Sequence, residues 1–335
     1  MRKRILITGA TGVLGDALLA VFRDEDITAL VRDPKAVLDG VNVLPANLPA
    51  LPHLDRNWEI IIHAAADTRF TSSKGELWQS NVEATQNLIA FARSCPNLER
   101  FLHISTTCIA GNIGGLIPED FCRSVPTFHN AYEESKWQAE SLFIRSGLPF
   151  QIFRIPIVIG DRSSGAIRRP LAIHHALGWI SRGLVPFLPS HPDVRLDLIS
   201  SDYVTDVIRQ TLSTADPAGR PIVHISRGAQ APQLVDILDR LIAWLSARRL
   251  EWKKGMFSPP TLMAAKPFAA FRQLIEETNN PIFRSIYQVT DVLTSTLITP
   301  KCFATSVASR VPEIAWETLC DRVFHFHLSR AIAQP

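Results

Sequence analysis

The sequence predicts an α/β protein with a doubly wound parallel sheet and a smaller, mostly helical C-terminal region. Apolar, β-branched segments alternate with helical patterns from Arg4 to about Gly160, which is the order expected when helices connect parallel strands. A glycine-rich run follows the first strand, and a Tyr-x-x-x-Lys spacing lies on a later helical segment. The alternation predicts the architecture, and the two motifs indicate which edge of the sheet carries the chemistry.

The glycine-rich run lies between a strand over residues 4–8 and a helix over residues 17–22. In this context Gly9 permits a tight turn, Gly12 lets the backbone approach a pyrophosphate, and Gly15 lets the helix pack close to the strand. The helix N-terminus adds free N–H groups and a partial positive charge. The Gly-x-x-Gly-x-x-Gly spacing therefore predicts a dinucleotide site, and a glycine-rich turn without a ligand is the alternative.

The second strand, over residues 27–31, ends at Arg32. An acid at this position bonds the ribose 2′-hydroxyl of NAD, whereas an arginine accommodates the 2′-phosphate of NADP. A guanidinium offers planar, bidentate donors to a phosphate. We therefore expect NADPH or NADP in preference to NAD, and the alternative interpretation is a solvated loop arginine beside Asp33.

Tyr132 and Lys136 are four positions apart, so on a helix their side chains lie on one face. An unperturbed tyrosine has a pKa of about 10, too high for acid–base work near neutrality. A nearby ammonium favours the phenolate, so we expect Lys136 to lower the pKa of Tyr132. The tyrosine could then exchange a proton with a substrate oxygen while a hydride passes to or from carbon.

An apolar strand upstream, over residues 100–107, ends in the hydroxyl cluster Ser105, Thr106 and Thr107. Parallel sheets present their sites at the carboxyl ends of their strands, so one of these hydroxyls can bond a substrate oxygen. The alternative is a strand-end turn capped by serine and threonine.

In their order along the chain, these motifs resemble the extended short-chain dehydrogenase/reductase superfamily. The Ser-Thr start of the catalytic segment, the Val-Arg after the second strand and the Pro-x-Val-Ile-Gly-Asp run are most similar to its male-sterility, fatty acyl-CoA reductase and thioester-reductase group. The matching segments are Thr8–Gly15, Ile61–Ala66, Asn81–Thr85 (with Ala84 in place of a glycine), Ser105–Thr107 followed by Gly111, and Arg154–Gly160. The likeness covers roughly the first two-thirds of the chain.

The resemblance implies a Rossmann-like fold and a Thr-Tyr-Lys site. Counting back from Gly111 places the catalytic hydroxyl on Thr106, and Tyr132 and Lys136 fill the acid–base positions. Asn47 stands where the group often has an acid near the adenine, and an amide can still bond an adenine amino group. With Arg32, the implied cofactor-binding residues are Thr8, Gly9, Thr11, Gly12, Val13, Leu14, Asn47, His63, Ala64, Ala65, Asn81, Tyr132, Lys136, Ile155, Pro156, Ile157 and Val158.

We expect residues 1–160 to form the NADP-binding domain, with its core completed by about 195–228. Residues 161–194 and 229–335 would then form the substrate-binding or lid region. In the last segment a helical pattern over 234–245 precedes four basic residues, Arg248, Arg249, Lys253 and Lys254. This patch is read as a solvated charge run, and the alternatives are a membrane surface or the phosphates of coenzyme A or of a carrier arm.

Composition excludes several classes of protein. A net charge of +3 over 335 residues, without a clustered basic face, argues against nucleic-acid binding. Residues 1–4 run straight into a strand without the long apolar segment of a signal peptide, and no apolar run reaches about eighteen residues, so neither a signal peptide nor a membrane-spanning helix is expected. The five scattered cysteines are typical of free thiols in a cytoplasmic protein. The histidine pairs His174/His175 and His325/His327 lack acidic or cysteine partners at ligand spacing, so no metal site is expected.

The leading hypothesis is an NADPH-dependent reductase of an apolar carbonyl, either an acyl thioester bound to coenzyme A or a carrier, or the derived aldehyde. One alternative is a ketone or alcohol dehydrogenase of the 3β-hydroxysteroid type. Another is an NAD-dependent sugar-nucleotide epimerase or dehydratase, against which Arg32 and the apolar tail argue. A non-catalytic NADP sensor would typically lack the tyrosine or the lysine, and both are present. A homodimer is compatible with the sequence.

Overall fold

The chain folds around a parallel sheet with helices on both faces, and the computed structural model describes residues 2–70, 72–122, 124–213, 221–248, 258–278, 280–308 and 310–332. In these ranges the strands are β1 (Arg4–Thr8), β2 (Asp26–Val31), β3 (Asn42–Pro45), β4 (Ile60–His63), β5 (Arg100–Thr106), β6 (Gly115–Ile117), β7 (Phe150–Ile155), β8 (Ile157–Gly160), β9 (Phe187–Pro189), β10 (Leu198–Ser200), β11 (Ile222–His224), β12 (Thr261–Met263) and β13 (Lys301–Phe303). The α-helices are α1 (Gly15–Val21), α2 (Lys74–Leu77), α3 (Ala84–Ala92), α4 (Ala131–Ile144), α5 (Ala172–Ile180), α6 (Ser201–Ser213), α7 (Leu234–Ala247), α8 (Ala265–Glu277), α9 (Pro281–Ile298) and α10 (Trp316–Ile332).

The main sheet has seven parallel strands in the order β3-β2-β1-β4-β5-β7-β11. The central strands β1, β4 and β5 are almost wholly buried, which explains why they read as continuous apolar runs rather than alternating ones. The strand order reverses between β1 and β4, so a crevice forms there at the carboxyl ends of the strands. The predicted doubly wound, Rossmann-like sheet is confirmed.

Three apolar clusters hold the layers together. One packs α1 and α6 against one face of the sheet, and a second packs α3 and α4 against the other. The third joins α5 and α7 to α8, α9 and α10 in the C-terminal part of the chain. None of the helices within the described ranges has the length and apolar run that a bilayer crossing needs.

The C-terminal part is mostly helical, as predicted, but it also contributes strands that the sequence did not predict. β12 pairs with β9, and β13 pairs with β6, each over three residues in parallel. In the segment 195–228, which was expected to complete the core, β11 joins the main sheet, whereas β10 pairs with β8 outside it. Strands of three residues carry no periodic signal, so only tertiary pairing reveals them.

The basic patch lies largely outside the described residues, since Arg249, Lys253 and Lys254 fall there. Arg248 stacks over the Trp244 ring at 3.8 Å from its centroid. The domain boundaries at 160/161 and 228/229 stay predictions.

A buried ion pair joins α4 to the sheet. Arg154 on β7 and Glu140 on α4 are 1% and 0% exposed, and Nη2 of Arg154 donates to Oε2 of Glu140 at 2.7 Å. The remaining guanidinium donors reach the carbonyl of Asp120 at 3.0 Å and Nε2 of His224 at 3.2 Å. Ser105 on β5 donates to the other carboxylate oxygen at 2.5 Å. Both charges are therefore well hydrogen-bonded, which a pair removed from water requires.

His224 extends this network to the C-terminal segment. Its Nε2 accepts from Arg154, so the proton lies on Nδ1, which donates to the carbonyl of Ala304 at 2.7 Å. Burial, with the Arg154 charge, lowers the pKa of His224 to about 3, which keeps the ring neutral. Glu119 accepts from the backbone N–H groups of both His224 and Ser306. The segment after β13 is thus fastened to the edge strand β11.

Replacing one member of the buried pair should destabilise the protein strongly. We expect Arg154→Met to lower the free energy of unfolding by about 3–5 kcal/mol, because it leaves the Glu140 carboxylate buried without its countercharge. The double variant Glu140→Leu/Arg154→Met should recover most of that loss. Lys74→Met is the matched control, since the Lys74–Glu134 pair is 67% and 32% exposed and should contribute less than about 1 kcal/mol. Denaturant unfolding measures all three, and a single variant no worse than the control would contradict this role.

Candidate active site

Helix α4 brings the Tyr-x-x-x-Lys motif to the carboxyl edge of the sheet. Asn130 caps it, because its side-chain oxygen accepts from the backbone N–H of Glu133 at 2.9 Å. Glu133 reciprocates by accepting from the backbone N–H of His129 at 2.9 Å. The cap fixes the first helical turn, which carries Tyr132.

The buried face of α4 runs alongside β5. Lys136 donates from Nζ to the carbonyl oxygen of Ile104 at 3.0 Å, one turn after Tyr132. The two neighbouring hydroxyls at the end of β5, those of Ser105 and Thr106, interact with different groups. Ser105 donates to Glu140, whereas the Thr106 hydroxyl lies close enough to the Tyr132 phenol to lower the pKa of that phenol. Thr106, rather than Ser105, is therefore the hydroxyl that acts on Tyr132, and its catalytic role stays a prediction.

Burial sets the protonation of the two motif residues. It raises the pKa of the Tyr132 phenol well above its ordinary value, and the nearby Cys108 raises it further, while the bond from Thr106 opposes the shift. Burial also lowers the pKa of Lys136 to about 8, with the Glu140 carboxylate opposing that shift. The expectation that Lys136 would lower the pKa of Tyr132 was wrong, because desolvation outweighs the neighbouring charge. Near neutral pH Tyr132 is a protonated phenol, which is the form that donates a proton.

The glycine-rich turn packs tightly against the strand next to it. Gly9 has φ +82°, and a Cβ there would lie 2.5 Å from the carbonyl carbon of Ala64 at the end of β4. Gly15 is equally constrained, because its Cβ would lie 1.9 Å from the carbonyl oxygen of Ala10. Gly12 is half-exposed on the same turn. A small-residue cradle at the switch point of a parallel sheet fits the pyrophosphate of a dinucleotide.

A buried hydrogen-bonded chain supports the cradle from below. Thr8 bonds Nδ1 of His63 at 2.8 Å, and Nε2 of His63 bonds Thr85 at 3.0 Å. Thr85 donates to the carbonyl of Asn81 at 2.6 Å, so it accepts from His63, whose proton lies on Nε2. Burial lowers the pKa of His63 to about 3 and keeps the ring neutral. His63 therefore supports the cradle as a neutral ring.

Asn81 joins the loop after β4 to the catalytic helix. It lies on a π-helical turn, Trp78–Glu83, and is 2% exposed. Its side-chain oxygen accepts from the backbone N–H of Asp67 at 2.8 Å, and its nitrogen donates to the Asp67 carbonyl and to Ser135 on α4, both at 3.0 Å. The amide is committed to protein groups, so in this structure Asn81 positions the loop and the helix.

The residues predicted at the cofactor differ in exposure. Arg32 and Asn47 are exposed. The half-exposed ones are Gly9, Thr11, Gly12, Val13, Ala64, Ala65, Ile155, Pro156 and Ile157. The buried ones are Thr8, Leu14, His63, Asn81, Tyr132, Lys136 and Val158. Direct contact of each residue with a cofactor stays a prediction.

The structure adds one residue that the sequence did not indicate. Phe70, in the loop after β4, places its ring 4.9 Å from the ring of Tyr132. Phe70 stands at no fixed spacing from a motif, so no sequence pattern marks it. Within the described ranges, no group of His, Cys, Asp and Glu side chains is arranged to hold a metal ion.

The sequence comparisons agree with this geometry. A family model described as "Male sterility protein" matches residues 49–208. Isonitrile lipopeptide synthase of Streptomyces coeruleorubidus is 26% identical over a 271-residue alignment that covers 68% of this chain and 17% of that protein. Adenylate-forming reductase Nps11 of Serpula lacrymans is 25% identical over a 237-residue alignment that covers 56% of this chain and 22% of that protein. The chain therefore spans about a fifth of the length of these relatives.

Solved structures share the fold over nearly the whole chain. The terminal R domain from the myxalamid PKS-NRPS biosynthetic pathway has a TM-score of 0.75 at 19% identity, over 99% of this chain and 92% of that one. MoeE5, solved with UDP-glucuronic acid and NAD, has a TM-score of 0.66 at 17% identity, over 97% of this chain and 99% of that one. At these identities the likeness shows the fold alone.

A side chain at Gly9 should disrupt the cradle. We expect Gly9→Ala to weaken NADPH binding, because the added Cβ would collide with the backbone of Ala64. The collision should lower the free energy of unfolding by about 1–3 kcal/mol, in addition to the loss that the positive φ itself causes. Gly40→Ala is the matched control: Gly40 has φ +70° but no atom within 4 Å of its Cβ, so only the strain of about 1–2 kcal/mol applies. Denaturant unfolding and NADPH fluorescence titration measure both variants. Equal losses in the two would rule out the steric argument.

Proposed function

This chain belongs to the extended short-chain dehydrogenase/reductase superfamily, in its male-sterility and thioester-reductase group, and we propose that it reduces an apolar acyl thioester, or the aldehyde derived from it, with NADPH. As a member of that group it is an oxidoreductase with an NAD(P)-binding fold. The thioester class is proposed from the group, and the reductive direction is proposed from the protonation of the site.

One observation carries the proposal: the Thr106–Tyr132 hydroxyl pair is buried at the carboxyl end of β5, and its phenol is protonated. Two hydroxyls that lie together can both donate to a carbonyl oxygen, which stabilises the negative charge that develops there. Tyr132 then delivers its proton to that oxygen. A phenolate, which alcohol oxidation would need first, is disfavoured by the same burial.

The remaining residues hold this pair in place. Lys136 fastens α4 to the backbone of β5, and its ammonium would also hold the ribose of a bound dinucleotide. When bound, the nicotinamide supplies the hydride. Phe70 lies against the Tyr132 ring and presents an apolar surface beside the reacting oxygen, which favours an apolar substrate.

Arg32 supports the choice of NADPH. Its side chain is exposed at the carboxyl end of β2, and no carboxylate of the described residues lies within ion-pair distance of it. The neighbouring Asp33 accepts instead from the backbone N–H of Lys35 at 2.9 Å. The Arg32 guanidinium is therefore available to a 2′-phosphate.

The substrate class is tested by NADPH oxidation against acyl-CoA and acyl-carrier thioesters of several lengths, aliphatic aldehydes and cyclic ketones, with NADH for comparison. We expect turnover of thioesters, and a loss of about 100-fold or more in Tyr132→Phe and Thr106→Ala with cofactor binding retained. Ser105→Ala is the matched control, because Ser105 bonds Glu140 and its replacement should change turnover only a few-fold.

Activity on aldehydes or ketones alone would contradict the thioester class. Full activity of Tyr132→Phe would contradict the mechanism, and tightly held NAD in the purified protein would favour an epimerase.

The cofactor preference is tested separately. We expect Arg32→Ala to raise the dissociation constant for NADPH about 10- to 100-fold, which is the affinity that one charge-assisted hydrogen bond contributes. The dissociation constant for NADH should change by less than about 3-fold, because NADH has no 2′-phosphate. Arg23→Ala is the control. Arg23 is an exposed arginine just after the end of α1, so it lies at the edge of the sheet formed by the amino ends of the strands, away from the predicted cofactor site. Fluorescence titration gives both constants. Equal effects on NADPH and NADH would overturn the 2′-phosphate assignment.

A further inference from the structure

The loop after β4 forms one wall of the site around Tyr132. Phe70 in this loop packs its ring against that of Tyr132, with 4.9 Å between the ring centroids and 46° between the ring planes. Tyr132 and Thr106 are 7% and 8% exposed, so only a narrow opening leads to their two hydroxyls. The Phe70 ring is half-exposed, and it therefore borders this opening on the side of the phenol.

One carboxylate holds the chain on both sides of Phe70. Before the ring, Asp67 accepts from the backbone N–H, Nε and Nη2 of Arg69 at 2.9, 3.0 and 2.7 Å. After the ring, Ser72 donates its hydroxyl to the same carboxylate at 2.9 Å. Hydrogen bonds to an ionised acceptor are roughly twice as strong as those between neutral groups, so the loop has little freedom to move the ring away from Tyr132.

Asp67 also connects the loop to the helix that carries Tyr132. Its backbone N–H donates to Oδ1 of Asn81 at 2.8 Å, and its carbonyl accepts from Nδ2 of Asn81 at 3.0 Å. Nδ2 of Asn81 also donates to Ser135 at 3.0 Å, and Ser135 donates to the carbonyl of Tyr132 at 2.8 Å. A continuous series of hydrogen bonds therefore sets the position of the Phe70 ring relative to Tyr132.

This fixed ring limits the space beside a carbonyl that binds to Tyr132. The carbonyl oxygen must approach the phenol oxygen to about 2.6–3.2 Å before it can receive a proton. The carbon next to the carbonyl is then only two bonds from that oxygen, at the level of the ring that packs against the phenol. A CH₂ group presents only hydrogens there, whereas a branched carbon adds a methyl group that would collide with the ring or move the oxygen away from Tyr132.

We propose that Phe70 is a specificity-determining residue, which selects substrates with an unbranched carbon next to the carbonyl, and that Asp67 is the positioning residue that holds its ring in place. This inference rests on the proposed function, and it narrows the substrate class to straight-chain acyl groups. One methyl group in an apolar site changes kcat/KM by about 10- to 100-fold, which is the selectivity expected between the two kinds of chain.

The test measures kcat/KM for octanoyl-CoA and octanal, and for the α-methyl derivative of each. We expect the wild-type protein to prefer the straight chain by about 10-fold or more, and Phe70→Ala to bring this ratio within about 3-fold of unity. Phe70→Tyr keeps the ring and should keep the wild-type ratio, and Phe70→Leu repeats the comparison if the alanine variant does not fold. Both constants come from one protein sample, so their ratio is independent of the fraction of the sample that is folded.

The role of Asp67 is measured through the same ratio. We expect Asp67→Asn to move the ratio at least about 3-fold toward that of Phe70→Ala, because the amide loses the charge that holds the loop. The double variant Asp67→Asn/Phe70→Ala should show no further shift, since Asp67 acts through the ring. Phe150→Ala is the matched control: Phe150 is a half-buried phenylalanine at the amino end of β7, with its ring 5.9 Å from that of Phe143.

The outcomes separate this inference from the function on which it rests. A wild-type protein that reduces straight and branched chains equally well, or a wild-type ratio in Phe70→Ala, would overturn the role of Phe70 and leave the reductase assignment in place. A wild-type ratio in Asp67→Asn, or a further shift in the double variant, would overturn the positioning role of Asp67. A wild-type protein that reduces neither the thioesters nor the aldehydes would overturn the proposed function together with this inference.

Discussion

The buried Glu140–Arg154 pair is the interaction on which the rest of the site depends. Removing two charges from water costs several kcal/mol per ion, and that cost is offset only where both charges are fully hydrogen-bonded. Here the bonds come from β5, from the loop at 120 and from β11. A misplaced α4 would leave a charge unpaired, so the pair holds the helix in one position on the sheet.

That anchor and the chemistry lie on the same face of one helix. Tyr132, Lys136 and Glu140 follow one another at four-residue intervals, so fixing the last fixes the first two. The burial that makes the anchor specific also desolvates the phenol and raises its pKa. Fold stability and the protonated state of the acid therefore have a common physical cause, the exclusion of water from this face.

Support also comes from the cofactor side. The chain of Thr8, His63 and Thr85 ends at the Asn81 backbone, and the Asn81 side chain continues to Ser135 on α4. The glycine-rich turn and the catalytic helix are thus linked through buried neutral groups. The C-terminal segment joins them through His224 and Glu119.

The parallel sheet, the glycine-rich turn and the helix with Tyr132 and Lys136 are predictable from the amino-acid pattern alone, because each has a local period or spacing that short-range geometry imposes. The tertiary structure was needed to show that Ser105 bonds the buried ion pair while Thr106 acts on the phenol. It was also needed to show that burial raises the pKa of Tyr132 and that Phe70 packs against the Tyr132 ring. These outcomes depend on desolvation and on contacts between segments far apart in the chain. Sequence spacing carries no information about either, so the composition of the site is predictable only in part.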